Sequence, residues 1–138
     1  MADNTFMLEI VTPEQIVFKD EVQFVVVPAV DGELGVLVNH AALVTALTIG
    51  VLRYREPSGA EKKMAVSGGF MEVVDNVARV LAETSERGSE IDILRAKDSA
   101  RRALERLTQR NENINYARAQ LSLNRAIARL KAAGEKLD

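Results

Sequence analysis

The residues best equipped for chemistry are arginines in the last third of the chain. Arg95, Arg102 and Arg106 stand seven and four apart, and Arg118, Arg125 and Arg129 repeat the same steps. On a helix these intervals put each set along one face. Rows of like charge are mildly destabilising unless an anion compensates them. If two such helices lie side by side, their planar guanidinium forks could grip the paired oxygens of a polyphosphate. From spacing alone a solvated basic face is the simpler reading. A basic surface that meets an acidic protein is a third.

Other chemistry is sparse. With no cysteine and one histidine, His40, the 138 residues exclude thiolate and His-rich metal centres, a cysteine nucleophile and a relay between imidazoles. There is no GxxxxGK[ST] phosphate loop, no HExxH and no GxSxG elbow. Ser67-Gly68-Gly69 has no histidine nearby and reads as a tight turn between strands. Asp31-Gly32-Glu33-Leu34-Gly35 reads as a turn with an acidic tip, and His40 as a residue that caps or packs a loop. No catalytic residue and no metal site is assigned. Nucleic acid is a poor partner, because the chain is acidic overall (net −2, pI about 5.5), and its basic part holds only Tyr116 for base stacking.

The elements that position the arginines follow from turn residues and periodicity. All three prolines and seven of the eight glycines lie at or before Gly88. Runs rich in β-branched residues recur there, at 6–11, 21–27, 34–38, 43–49, 51–55, 62–66, 70–74 and 77–81, which predicts a β-sandwich or flattened barrel. After Gly88, Ala, Leu, Arg and Glu take over, the composition of helix. Ser89 and Asp92 resemble a helix start signal. Ile93, Ala96, Ala100, Ala103, Leu104 and Leu107 step by three and four, the pattern breaks at Asn111-Glu112-Asn113, and Ala119, Leu123, Ala126, Ile127 and Leu130 resume it. The expectation is a sandwich over 1–88 and an antiparallel αα-hairpin over 89–138.

Charge divides at the same point. Residues 1–88 carry seven basic and thirteen acidic side chains, net −6, whereas 89–138 carry eleven and seven, net +4. Much of the hairpin's apolar stripe is alanine, whose burial stabilises little, so the hairpin is expected to detach and rebind elsewhere. Protection from hydrogen exchange in the second helix equal to that of the strands would contradict this. No apolar run approaches the roughly 18–20 residues of a bilayer span, and the start lacks the positive flank of a signal peptide, so the expected location is cytoplasmic, without export.

Several separate segments carry a resemblance. Gly32-Glu33-Leu34-Gly35-Val36-Leu37, His40-Ala41, Leu43-Val44-Thr45-Ala46-Leu47, Ser67-Gly68-Gly69-Phe70 and Val80-Leu81-Ala82-Glu83-Thr84, in this order ahead of a helical hairpin, closely resemble the epsilon subunits of bacterial F-type ATP synthases. The resemblance runs over 6–130. It implies a non-catalytic subunit of the central stalk, peripheral on the cytoplasmic face of the cell membrane with no insertion into the bilayer. The sandwich would bind the gamma subunit near His40 and rest on the c-ring through Glu33. Folded, the hairpin would permit turnover. Extended, it would reach the beta and alpha subunits of the catalytic head and block ATP hydrolysis, with Arg118, Arg125 and Arg129 as the inhibitory contacts.

Some members of that family also bind ATP in the folded hairpin as a signal rather than a substrate. Their motif is similar to Ile91-Asp92-Ile93-Leu94-Arg95-Ala96 here, and their other contacts match Glu86, Arg102, Arg125 and Arg129. The resemblance thus implies ATP as a regulatory ligand, with magnesium as its potential companion and no catalytic cofactor, and makes the polyphosphate reading the favoured one. The alternative keeps the coupling role and lets the arginines touch only protein. The sequence departs from the family at Val38-Asn39 and Ala42, where Pro-Gly and proline are common. Asparagine tolerates the left-handed backbone, so the turn is expected to survive.

Overall fold

The computed structural model describes residues 3–109 and 113–136. Strict alternation builds the first layer: β1 (Phe6–Val11) buries Phe6, Leu8 and Ile10 and turns Met7, Glu9 and Val11 outward. There follow β2 (Ile16–Val22), β3 (Phe24–Ala29), β4 (Gly32–Leu37), β5 (Leu43–Arg55), β6 (Glu61–Val74), β7 (Val77–Ala82) and β8 (Ser85–Arg87). A 3₁₀ turn over Gly88–Glu90 then leads to α1 (Ile93–Thr108) and α2 (Tyr116–Ala132). The sandwich and helical hairpin expected from the sequence are therefore the observed architecture.

The strands lie in the order β2-β1-β7-β6-β5-β3-β4, with β8 also on β6. Neighbours are antiparallel except β1 and β7, which run parallel with Leu8 opposite Ala78. The long strands β5 and β6 pair along almost their whole length, and the sheet folds over on itself around a core that includes Phe6, Leu8, Ile10, Leu52, Met64 and Met71.

Several boundaries differ from those read in the sequence. The run 21–27 is not one strand: the chain breaks at Gln23, and β2 begins back at Ile16, pairing with β1. As an edge strand β2 buries only Val22 fully and does not alternate strictly, so it lacks the pattern that reveals a half-buried strand. The segments 43–49 and 51–55 form one strand through Gly50. Likewise 62–66 and 70–74 join through Ser67-Gly68-Gly69, which is no turn but a bend inside β6. Gly68 and Gly69 have φ of +76° and +111°, and a Cβ on Gly69 would stand 2.0 Å from the Leu81 carbonyl oxygen. At this bend β6 changes partner, from β8 before it to β7 after it. The turn read at Asp31–Gly35 is shifted too: Val30 and Asp31 make the turn, and Glu33 to Gly35 already belong to β4.

In the hairpin Asp92 rather than Ser89 caps α1, its Oδ1 accepting from the Arg95 N–H at 3.1 Å, while Ser89 lies in the 3₁₀ turn. Asn115 caps α2 in the same way, accepting from the Arg118 N–H at 3.1 Å. The Tyr116 hydroxyl donates to the Gln109 carbonyl and ties the two ends of the connection together. The expected break at Asn111-Glu112-Asn113 falls mostly outside the described residues. Ala100 and Ala103 meet Leu123 and Ala126 in the seam between the helices, whereas Leu104, expected in that seam, is 38% exposed. The sandwich is met chiefly by α2, whose Ala128 and Ala132 pack, together with Ile91 of the link, on Ala65 of β6 and on Ile49 and Val51 of β5. Each such methyl group is worth about 0.8 kcal/mol, so α2 is held on the sandwich much more weakly than the sandwich core is held together.

Candidate functional site

Both helices carry the pattern Ser-x-x-Arg-Ala-x-x-Arg: Ser99, Arg102, Ala103 and Arg106 on α1, and Ser122, Arg125, Ala126 and Arg129 on α2. Steps of three and four bring each set to one face, and all eight residues line one open cleft of about 540 Å³, completed by Thr84 and Glu86. The alanines are the reason the cleft exists. Ala103 and Ala126 are buried in the helix seam and bring the backbones close, so the arginines flanking them converge.

Four guanidinium groups share this space with one carboxylate. Glu86 grips Arg129 with both oxygens, at 2.8 Å to Nε and 3.3 Å to Nη2. Arg102 Nη1 lies 3.2 Å from Asp98, and its Nη2 is 3.5 Å from the Ser99 hydroxyl. Arg125 donates to the Ser122 hydroxyl at 3.2 Å. Among the described residues Arg106 and Arg125 have no carboxylate partner. An uncompensated positive field at the seam of two helices suits an anion with several oxygens. Among the described residues no three acidic or imidazole groups gather to hold a metal.

The remaining candidates are distributed around this cleft. Ile91 is buried against Ala65, Ala128 and Ala132, Asp92 is the helix cap, and Ala96 is fully buried, so these three build the start of α1 rather than line the cleft. Arg95 is exposed on the face of Arg102, about 10 Å nearer the helix start. Arg118 is exposed in the first turn of α2, a similar distance from Arg125. The structure thus brings Glu86, Arg102, Arg125 and Arg129 together and leaves Arg95 and Arg118 outside.

Glu33 and His40 mark opposite ends of β4. Glu33 is exposed beside the β3–β4 turn, paired across the strands with Pro28. His40 is half-buried, and its Nδ1–H donates to the Ala41 carbonyl at 2.7 Å, since a carbonyl only accepts. Asn39 before it adopts φ 60°, the left-handed backbone expected there, and its N–H donates to Asn76 Oδ1 at 2.8 Å. On the outer face of the sandwich, Ala46, Phe70, Leu81 and Val11 are successive neighbours across β5, β6, β7 and β1. Phe70 is 56% exposed and Leu81 49%. The next row on that face holds Val44, Glu72, Arg79 and Glu9, with Arg79 paired to both acids.

Two family models together span nearly the whole chain. The ATP synthase delta/epsilon chain β-sandwich domain matches residues 5–88, and the ATP synthase delta/epsilon chain long α-helix domain matches 89–134. This chain belongs to the ATP synthase delta/epsilon family. Its relatives include the ATP synthase epsilon chain of Syntrophomonas wolfei, 66% identical over 97 residues, which are 70% of this chain and 71% of that one. The ATP synthase epsilon chain of Pelotomaculum thermopropionicum is 53% identical over 97 residues, 70% of this chain and 72% of that one. Such relatives place the chain among the bacterial epsilon subunits of the family.

Solved structures share its fold. A chain of the Euglena gracilis mitochondrial ATP synthase OSCP/F1/c-ring assembly aligns with 98% of this chain and 84% of its own length, at a TM-score of 0.83 and 21% identity. One from the Tetrahymena thermophila mitochondrial ATP synthase central stalk and c-ring aligns with 91% and 94%, at 0.58 and 15%. Four polar residues of the cleft in this delta/epsilon chain are absent from the site expected from sequence: Arg106, Ser99, Ser122 and Thr84. The duplicated Ser-x-x-Arg-Ala-x-x-Arg pattern was the available signal for the first three. Thr84 has no such signal, because its place depends on how β6 and α2 pack.

Proposed function

We propose that this epsilon-family chain is the non-catalytic, regulatory subunit of the ATP synthase central stalk. It couples ion-driven rotation to ATP synthesis and restrains ATP hydrolysis through its hairpin. The sandwich holds the gamma subunit with the Ala46, Phe70, Leu81 and Val11 row and the neighbouring ion-paired row, close to His40. An apolar row beside a polar one gives both burial and register. Glu33 and the β3–β4 turn meet the c-ring, at the end of β4 away from His40. A rotor subunit needs such separated contacts, since torque passes only through a part that cannot slip.

The hairpin is the regulator, and ATP is its ligand. One observation carries this reading: the four arginines of the duplicated pattern converge in one cleft only while α1 and α2 are folded together. The phosphates of ATP neutralise Arg102, Arg106, Arg125 and Arg129, and Glu86 orders Arg129. Ile91, Asp92 and Ala96 hold α1 in place, while Arg95 adds charge at the rim. Magnesium would arrive on the phosphates. Because only the folded hairpin offers the cleft, ATP shifts the equilibrium toward it by its differential affinity. When ATP is scarce, the extended hairpin presents Arg118, Arg125 and Arg129 to acidic surfaces of the beta and alpha subunits. The same arginines cannot serve both partners at once.

The test is calorimetric titration of the full chain with ATP, with and without magnesium. Saturable one-to-one binding is expected, weakened about tenfold or more by Arg102→Ala and by Arg125→Ala, as for the loss of a charge-assisted hydrogen bond, and less by Arg95→Ala. A second reading keeps the coupling role and assigns the arginines to protein contacts alone. It is favoured by the existing partners of Arg129 and Arg102, Glu86 and Asp98. No binding up to millimolar ATP by folded protein would select it.

A further inference from the structure

Tyr54 is a buried polar residue that the arginine cleft leaves unused. Its side chain is 3% exposed, and its hydroxyl has no hydrogen-bond partner among the described residues. Buried polar groups are normally paired, so an unpaired one needs an explanation. The hydroxyl is not walled off by the core, because Tyr54 lines a cleft of about 430 Å³ where β5 and β6 meet the last residues of α2. That volume is of the size of small-molecule sites. The cleft shares no lining residue with the arginine cleft.

Its charges are unevenly compensated. Glu61 is held by Arg53 at 3.9 Å and by Arg55 at 3.7 Å. Lys62 and Lys63 of β6 have no carboxylate partner among the described residues. Arg87 is fixed without being neutralised: its Nη2 donates to the Val17 carbonyl at 3.0 Å, and its guanidinium carbon stands 6.0 Å from the centre of the Phe18 ring. These three cations and the Tyr54 hydroxyl face one free carboxylate, Glu56. The excess suits a dianionic phosphoryl group. Glu56 and the carbonyl end of α2 are acceptors, which a bare phosphate would leave idle and the hydroxyls of a small polyol would use. The partial negative charge at that end is reduced already, since the N–H groups of Ala133, Gly134 and Glu135 donate to the carbonyls of Arg129, Lys131 and Leu130.

We propose that this cleft binds a small polyol phosphomonoester, with the phosphoryl group on Lys62, Lys63, Arg87 and the Tyr54 hydroxyl, and the polyol hydroxyls on Glu56 and the end of α2. Burial raises the Tyr54 pKa, so the phenol is a proton donor at neutral pH. Lysines that merely offset the helix end are the plainer account of Lys62 and Lys63. That account leaves the Tyr54 hydroxyl without a partner.

The experiment titrates the full chain with glycerol 3-phosphate and, separately, with inorganic phosphate, while amide resonances report where each binds. Saturable shifts by glycerol 3-phosphate are expected at residues 54–56, 62–63, 87–89 and 132–134, with inorganic phosphate binding the same amides more weakly. Tyr54→Phe should lower the affinity about tenfold, as for the loss of a hydrogen bond to a charged group. Its fold should survive, because the hydroxyl removed has no protein partner. Lys62→Ala/Lys63→Ala, at two exposed positions, is an independent variant and should weaken binding at least as much. Shifts confined to residues 102–106 and 125–129 would assign the phosphate to the arginine cleft and overturn the proposal. So would a titration that fails to saturate in the millimolar range, or unchanged affinity in both variants. Equal affinity for the two ligands would overturn the polyol contacts.

Discussion

At the scale of single residues, the two arginine rows were legible because charge and helical spacing are both written in the chain. Which arginine faces the cleft was not, since Arg95 and Arg102 share a face and only the other helix's position separates them. Tyr54 is a different case. It is 3% exposed, with its ring 4.6 Å from that of Phe18. Burial raises its phenol pKa above the ordinary 10.0, with Arg87 pulling it down and Glu56 and Asp20 adding to the rise. The unfolded chain therefore ionises this tyrosine first. Its contribution to stability is complete below about pH 10 and is lost as pH climbs through the folded-state value. Urea unfolding of the wild type and Tyr54→Phe from about pH 8 to 11 should show the wild type losing more stability with rising pH. Parallel curves would refute the assignment.

At the scale of elements, the junction between α2 and the sandwich turns on Gly88. A Cβ there would stand 2.1 Å from the Ala132 carbonyl oxygen and 3.1 Å from that of Lys63, so Gly88→Ala drives a wedge between the end of α2 and β6. Backbone carbonyls cannot swing aside as a flexible side chain can. The expected outcome is a hairpin released from an intact sandwich: amides of α1 and α2 should exchange faster in deuterium, while those of β1 and β5–β7 keep their protection. Equal protection throughout would show that the junction absorbs the methyl. The contact is rich in alanine, as composition led one to expect, though Ile49 and Val51 of β5 join it; its location on α2 was not readable, since alanines recur on several faces of both helices. Similarly β2 escaped notice as an edge strand without strict alternation, and Ser67-Gly68-Gly69 looked like a turn because glycines mark bends inside strands as well as between them.

For the whole molecule, the two parts differ in self-sufficiency. The main core is assembled entirely from residues between Phe6 and Ala82, so a chain ending at Gly88 should still unfold cooperatively on heating. Loss of a cooperative transition would mean that the hairpin contributes to the sandwich core. The −6 and +4 charges of the two parts attract each other over the surface, and salt screens that attraction within about 10 Å at 0.1 M. Raising salt should therefore weaken both hairpin docking and ATP binding, which two-point calorimetry at low and high salt would measure. By itself the sequence determined the order of a sandwich and a hairpin, the charge polarity and the family, because period, turn residues and composition are local properties of the chain. Only the tertiary structure decided that α2 and not α1 lies on the sandwich, that two copies of one short pattern face a single cleft, that Thr84 completes it, and that Glu86 reaches it by gripping Arg129. Those depend on contacts between residues more than forty positions apart, such as Glu86 with Arg129, which no local pattern encodes.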